Sequence, residues 1–158
     1  MKISKEIQFD AGHRVPMHKS KCRNPHGHRY RVVVECSGQI ITEKGAPDEG
    51  MLIDFSDLKS IMETKVHDVL DHGFIYYKED TLMEQVLDLD PSWKTIVFPY
   101  IPTAENIARW IWFELDSDIR NHWRGNLKLD TVIVYETPTS IAYYYGEDDT
   151  VEGLGNLL

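Results

Sequence analysis

The chain has 158 residues, 42% of them hydrophobic, and a formal net charge of −9. That length suits one domain with its own core, and two cysteines, Cys22 and Cys36, give no disulfide framework. The acidity argues against nucleic acid or an anionic membrane as partner, because both are held mainly by clustered Lys and Arg.

No apolar run is long enough to span a bilayer, and Met1 to Phe9 alternates charged or polar with apolar residues, unlike a signal peptide. The expectation is a cytoplasmic protein with reduced thiols. The first element in chain order is a strand. Ile3, Ile7, Phe9, Ala11 and His13 share one parity, Ser4, Glu6, Gln8 and Asp10 the other, so His13 ends an apolar row. From Ala11 to Val34 there is no acid, although the chain has 26, and six cations fall there: Arg14, Lys19, Lys21, Arg23, Arg29 and Arg31. Such a patch would draw a small polyanion, for instance a phosphate ester.

His26-Gly27-His28 opens the second strand. Side chains two apart point to the same face of a strand, so both imidazoles can aim at one ion while Gly27 leaves room between them. With His13 the set is three neutral nitrogen donors and an open fourth position, the pattern of a catalytic zinc site. Tyr30, Val32, Val34 and Cys36 alternate with Arg29, Arg31, Glu35 and Ser37, so one face is buried and Cys36 belongs to the core.

After a turn region with Gly45, Pro47 and Gly50, Asp54 caps a helix whose apolar stripe is Phe55, Leu58, Ile61, Met62, Val66, Val69 and Leu70, ending at Asp71-His72-Gly73. Residues 74–100 read as a connection or lid, with a short helix near Thr81 to Leu87. Thr103 caps a second long helix, with Glu105 in its first turn and Ala104, Ile107, Ala108, Ile111 and Leu115 as its buried stripe beside Trp110 and Trp112; Gly125 marks its end. Leu129 to Tyr135 and Ile141 to Tyr145 form a hairpin about Pro138-Thr139-Ser140. Residues 147–158, with four acids and two glycines, read as a loose tail. The order is ββααββ, one domain over 1–146, suited to completing its sheet with copies of itself.

Six motifs in order then carry a resemblance: Phe9-Asp10-Ala11-Gly12-His13-Arg14; Cys22-x-x-x-His26-Gly27-His28; Ile53-Asp54-Phe55-Ser56-Asp57-Leu58-Lys59; Leu70-Asp71-His72; Pro102-Thr103-Ala104-Glu105-Asn106; and Glu136-Thr137-Pro138-Thr139-Ser140. Over about Ile3 to Tyr145 the chain resembles the 6-pyruvoyltetrahydropterin synthase family and, within it, the queuosine-pathway branch. The resemblance implies an α+β tunnelling fold, with a four-stranded antiparallel sheet and a helix pair on one face. Subunits would join edge to edge into trimers, and trimers into a homohexamer with active sites between subunits.

It implies a zinc-dependent lyase that converts 7,8-dihydroneopterin triphosphate into 6-carboxytetrahydropterin, acetaldehyde and triphosphate. Retention of a pyruvoyl side chain, or a non-catalytic zinc-stabilised pterin-binding module, is the alternative. His13, His26 and His28 would bind Zn2+. Cys22 would be the catalytic base, with Lys21 and Arg23 on either side favouring an ionised sulfur. Asp71 and His72 would form a second proton-handling pair, Glu136 would anchor the pterin through its 2-amino-pyrimidine edge, and Thr103 and Glu105 would sit close by. Three residues separate Cys22 from His26, as in the carboxy-forming branch. The biopterin-forming branch has a longer interval, and the folate-linked variant places a glutamate in this loop.

Overall fold

The computed structural model describes residues 1–122 and 127–146. Two long strands set its frame. β1 (Lys2–His13) and β2 (His26–Gly38) pair antiparallel from Lys2 opposite Ser37 to His13 opposite His26. The parity read from the sequence is the parity observed: Ile7, Phe9, Ala11 and His13 are buried, as are Tyr30, Val32, Val34 and Cys36 across from them. On the other face Glu6 and Asp10 meet Arg31 and Arg29 as ion pairs, the arrangement expected of opposite charges on a solvated strand pair.

Asp54 caps α1 (Phe55–Met62) through the Ser56 amide at 2.7 Å. The helix continues through a π-helical turn, Glu63–His67, into α2 (Asp68–Leu70). Leu58, Met62, Val66 and Leu70 form its buried stripe, whereas Phe55 and Val69, expected on it, are 49% and 37% exposed. Thr103 caps α4 (Ala104–Asn121) by accepting from the Asn106 amide, and Ile107, Ala108, Ile111 and Leu115 bury its stripe. The helix ends at Asn121; Gly125, expected to end it, lies outside the described residues, as do 147–158. β5 (Leu127–Thr137) and β6 (Ser140–Tyr144) close the sheet as a hairpin, with Thr137 Oγ1 accepting from the Ser140 amide at 3.0 Å.

The strand order β4-β3-β1-β2-β5-β6 gives six strands where four were expected. The antiparallel four are β1, β2, β5 and β6. The additional two come from residues 74–100, which were read as a connection: β3 (Gly73–Tyr77) runs parallel to the end of β1, and β4 (Thr95–Phe98) parallel to β3. Between them α3 (Thr81–Leu87) forms where a short helix was expected, capped by Asp80. Both new strands are too short for a period of two to stand out, and β3 pairs with β1 only over Ala11–His13. Ile75 joins the main core under α1 and α4, while Phe74 and Tyr76 form a second cluster with Met83 and Leu87 of α3. Because successive strand residues face opposite ways, α3 covers the sheet face away from α1 and α4. No helix among the described residues is long and apolar enough to cross a membrane.

Candidate metal centre and active site

The cross-strand register brings the three histidines together. His13 lies opposite His26, Ala11 lies opposite His28, and all three imidazoles share the face that looks toward α4. One ring nitrogen from each falls within 4.8 Å of the others, so the set could hold a metal ion. Gly27 serves differently from the expectation. It faces the opposite side, where a Cβ would come 2.9 Å from the Ala11 carbonyl oxygen, so it permits close approach of β1 to β2 and does not open space between the rings.

Backbone carbonyls orient two of the rings. His13 Nδ1–H donates to the Pro102 carbonyl at 2.6 Å, and His26 Nδ1–H to the Asn24 carbonyl at 2.8 Å, which leaves each Nε2 with its lone pair free. His13 Nε2 and His28 Nε2 are buried with no hydrogen-bond partner. Burial pushes the His13 imidazole down to about 4, against the Pro102 carbonyl, and burial likewise lowers His28 against the nearby Glu136 carboxylate. Both rings are therefore neutral at neutral pH, the form that ligates. Orphaned, neutral, pre-oriented nitrogen donors fit a zinc-type ion.

A cavity of about 380 Å³ beside this cluster is lined by His13, Cys22, Thr103, Glu105 and Glu136. Five of the residues singled out in the sequence thus share one space. Cys22 sits half-buried in a single 3-10 turn, Lys21–Arg23, whereas Cys36 is fully buried and its thiol is pushed up to about 12 by burial, as expected of a core sulfur. Glu136 Oε1 stands 3.7 Å from His13 Nε2 and 3.9 Å from His28 Nε2, at the end of β5. Thr103 and Glu105 arrive with the capped start of α4.

Asp71 and His72 are placed elsewhere. They follow α2, and His72 lines a cavity of about 800 Å³ together with Gly12, Gly27, Phe74 and Met83, on the α3 side of the sheet. Asp71 accepts from the Asp10 amide at 2.9 Å and holds His72 Nδ1 at 2.6 Å. Burial tends to raise its carboxyl, but the Asp10 amide and His72 outweigh this and hold it below its ordinary value. His72 has φ of 57°, the left-handed region that a non-glycine residue seldom occupies. Lys94 of the segment before β4 fixes the preceding turn by donating to the Asp68 and Asp71 carbonyls at 2.8 and 2.7 Å.

Sequence reasoning missed the orienting groups. The Pro102 carbonyl lies 89 residues from His13 in sequence, and carbonyls carry no residue signature. Arg14 and Asp80 were also missed as a pair. Their bidentate contact, 2.6 Å at both positions, ties α3 to the residue after His13.

The architecture and this constellation have relatives. The family model described as 6-pyruvoyl tetrahydropterin synthase matches residues 2–147. A 6-carboxy-5,6,7,8-tetrahydropterin synthase from Haemophilus influenzae is 40% identical over 145 residues, covering 90% of this chain and 97% of its own. The Synechocystis protein of the same name is 35% identical, covering 90% and 92%, and the human 6-pyruvoyl tetrahydrobiopterin synthase is 32% identical, covering 92% and 91%. Among solved structures, an uncharacterized protein from Wolinella succinogenes superposes with a TM-score of 0.76 at 26% identity, covering 93% of this chain and 98% of its own. The Caenorhabditis elegans 6-pyruvoyl tetrahydropterin synthase gives 0.64 at 27%, covering 92% and 95%. Matches of this extent, in sequence and in fold alike, show that the chain belongs to the 6-pyruvoyl tetrahydropterin synthase family.

Proposed function

We propose that this protein is a zinc-dependent 6-carboxytetrahydropterin synthase, a lyase that takes 7,8-dihydroneopterin triphosphate to 6-carboxytetrahydropterin, acetaldehyde and triphosphate in queuosine biosynthesis. The observation that carries the reading is the convergence of three imidazoles, two with buried unpartnered Nε2 atoms, beside a cavity that also holds Cys22 and Glu136. Within the family, the three-residue interval between Cys22 and His26 favours the carboxy-forming branch, and relatives of that name reach 40% identity where the human 6-pyruvoyl enzyme reaches 32%.

His13, His26 and His28 hold the ion, which when bound supplies Lewis acidity toward the oxygens of the pterin side chain. Glu136 accepts N–H donors from the 2-amino-pyrimidine edge and so sets how deep the ring lies, while Thr103 and Glu105 flank it. Cys22, on the same cavity wall, removes a proton from the side-chain carbon presented to it. Asp71 orients His72 through the 2.6 Å contact at Nδ1, leaving Nε2 to move a proton. The left-handed backbone of His72 costs roughly 1–3 kcal/mol, strain of the kind that collects at functional sites.

In one subunit the Cys22 cavity and the His72 cavity lie on opposite faces of the sheet. On this reading the pair serves the Cys22 cavity of a neighbouring copy, with active sites between subunits of a trimer-based homo-oligomer; the opposite placement of the two cavities supports it. Residues 1–146 form the single synthase domain, working in the cytoplasm.

The test is Cys22→Ala in metal-loaded protein. One tightly held transition metal per chain is expected to remain while turnover of dihydroneopterin triphosphate falls at least about 100-fold, the usual size of a general-base effect. Mass analysis of the product of the unaltered protein should show a carboxylate at C6 with free acetaldehyde. A retained pyruvoyl side chain would move the protein to the other branch. Full activity in the variant, or purified protein without metal, would defeat the proposal.

A further inference from the structure

Strand register delivers Glu136 to the imidazole face. Val132 lies opposite Val34 and Val134 opposite Val32, all four buried, so the next residue of that parity on β5, Glu136, extends the row that Tyr30 and His28 extend on β2. On its other side the ladder to β6 shifts register between Tyr135 and Thr137, an irregularity of the kind that re-aims a side chain beside a site. The carboxylate delivered there is three-quarters buried, with 24% of the side chain exposed. Among the described residues no lysine or arginine pairs with it, and no N–H or O–H donates to it.

What Glu136 does face is two ligand nitrogens. Its Oε1 stands 3.7 Å from His13 Nε2 and 3.9 Å from His28 Nε2, and both nitrogens are buried without a hydrogen-bond partner. Neither separation is a hydrogen bond. Since the Pro102 carbonyl takes the Nδ1 proton of His13, its Nε2 presents a lone pair to the carboxylate. An anion facing a lone pair in a buried place is unfavourable unless both point at one cation. The spacing suits that arrangement: two donors on one tetrahedral ion, with bonds of about 2.1 Å, stand roughly 3.4 Å apart, a few tenths of an ångström less than the separations found here.

We propose that Glu136 is the fourth ligand of the ion in the substrate-free protein, and that it leaves the ion when a pterin arrives. The inference deepens the lyase reading and rests on it. With His13, His26 and His28 the carboxylate completes a closed shell of four donors. The 2-amino-pyrimidine edge of a pterin offers the carboxylate a fork of N–H donors, and Glu136 exchanges the ion for that fork. Its coordination position then passes to the oxygens of the substrate side chain. One residue thereby couples recognition of the ring to opening of the metal site, and a compound without that edge leaves the site closed.

Cobalt-loaded protein tests the exchange without turnover, because the visible bands of Co2+ report which donors surround it. Saturating the parent with pterin itself, 2-amino-4-oxopteridine, should shift those bands, whereas a 2,4-dioxopteridine, which lacks the 2-amino group, should leave them in place. Glu136→Gln should show a shifted spectrum before any pterin is added and should not respond to it. In competition with a chromophoric chelator, Glu136→Gln should hold Zn2+ at least about tenfold more weakly, since groups that only support a ligand already produce losses of that size. Glu105→Gln removes a carboxylate from the same cavity and should stay within about threefold of the parent, the through-space effect of one screened charge. Parent affinity and parent spectrum in Glu136→Gln, an equal loss in Glu105→Gln, or a parent spectrum indifferent to pterin would overturn the assignment and leave the lyase reading standing. A parent that takes up no metal would defeat both.

Discussion

Tyr30 has no exposed surface, and its hydroxyl has no hydrogen-bond partner. Its ring stacks on Phe9 and lies edge-on to His13 and His28, with centroids 6.0 and 5.6 Å away. Burial, reinforced by the Glu136 charge, pushes the phenol far above its ordinary range, so it stays neutral. An unpaired buried hydroxyl costs roughly 1–3 kcal/mol, and Tyr30→Phe removes the oxygen while keeping the packing. Urea unfolding of the variant should therefore show a higher midpoint at unchanged m-value, a gain of about 1 kcal/mol. A lower midpoint would mean that the oxygen has a partner in the folded protein. The sequence placed Tyr30 correctly on the buried face of β2, since parity alone decides which face a strand residue takes. Whether a polar atom there is satisfied depends on other strands, and alternation carries no such information. His13 repeats the lesson: its position was legible, its Pro102 partner was not.

At the level of elements, the helix between β2 and β3 shows how a pattern can be right in kind and wrong in phase. Its buried residues, Leu58, Met62, Val66 and Leu70, recur every fourth position. On a regular helix of 3.6 residues per turn that spacing drifts by about 40° a step. The π-helical turn at Glu63–His67 takes up the excess and returns Val66 and Leu70 to the core, leaving Val69 outside. A periodicity reading that assumes one pitch therefore includes Val69 and misses the turn. The segment holding α3 was less legible still, because its attachment is ionic. Asp80 both caps α3 at the Met83 amide and receives the Arg14 fork. Burial tends to raise the Asp80 carboxyl, but Arg14 and the Met83 amide outweigh it and hold it below its ordinary value. A depressed carboxyl stabilises the fold fully above its unfolded value of 3.8, and that share is lost as pH falls through the lower folded value. Asp80→Asn leaves the Arg14 charge poorly matched and should cost about 3 kcal/mol near neutral pH, read by thermal or urea unfolding, with the difference from the parent shrinking below pH 4. An equal difference at pH 3 and pH 7 would show that the ion pair contributes nothing.

Across the whole molecule the sheet is left with edges. Among the described residues β1 has no neighbour along Lys2–Asp10 on the side where β3 pairs with only its last three residues, and β6 forms the opposite border. Ile141, Tyr143 and Tyr145 stand exposed along or just after that border. Unpaired N–H and C=O rows of this length are templates for another strand, and joining β1 of one copy to β6 of the next would satisfy both. Light scattering in solution should accordingly return three or six times the 18.4 kDa chain mass. A monomer at micromolar concentration would contradict that assembly and leave Asp71 and His72 without a Cys22 cavity to serve. The strands β1, β2, β5 and β6 could be read in advance, the first two from a clear alternation and the last two as a hairpin about Pro138-Thr139-Ser140, although their joining in one antiparallel sheet was implied only by the family resemblance. The two parallel strands could not, since five and four residues are too few to establish an alternation.

The unequal fates of the two sulfurs have a practical reach. Cys36 has no exposed surface and a thiol raised to about 12 by burial, whereas Cys22 meets solvent at a cavity wall. Toward an alkylating reagent in water, a chain with two cysteines in its sequence behaves as a one-thiol protein, and the adduct sits where the pterin ring would lie.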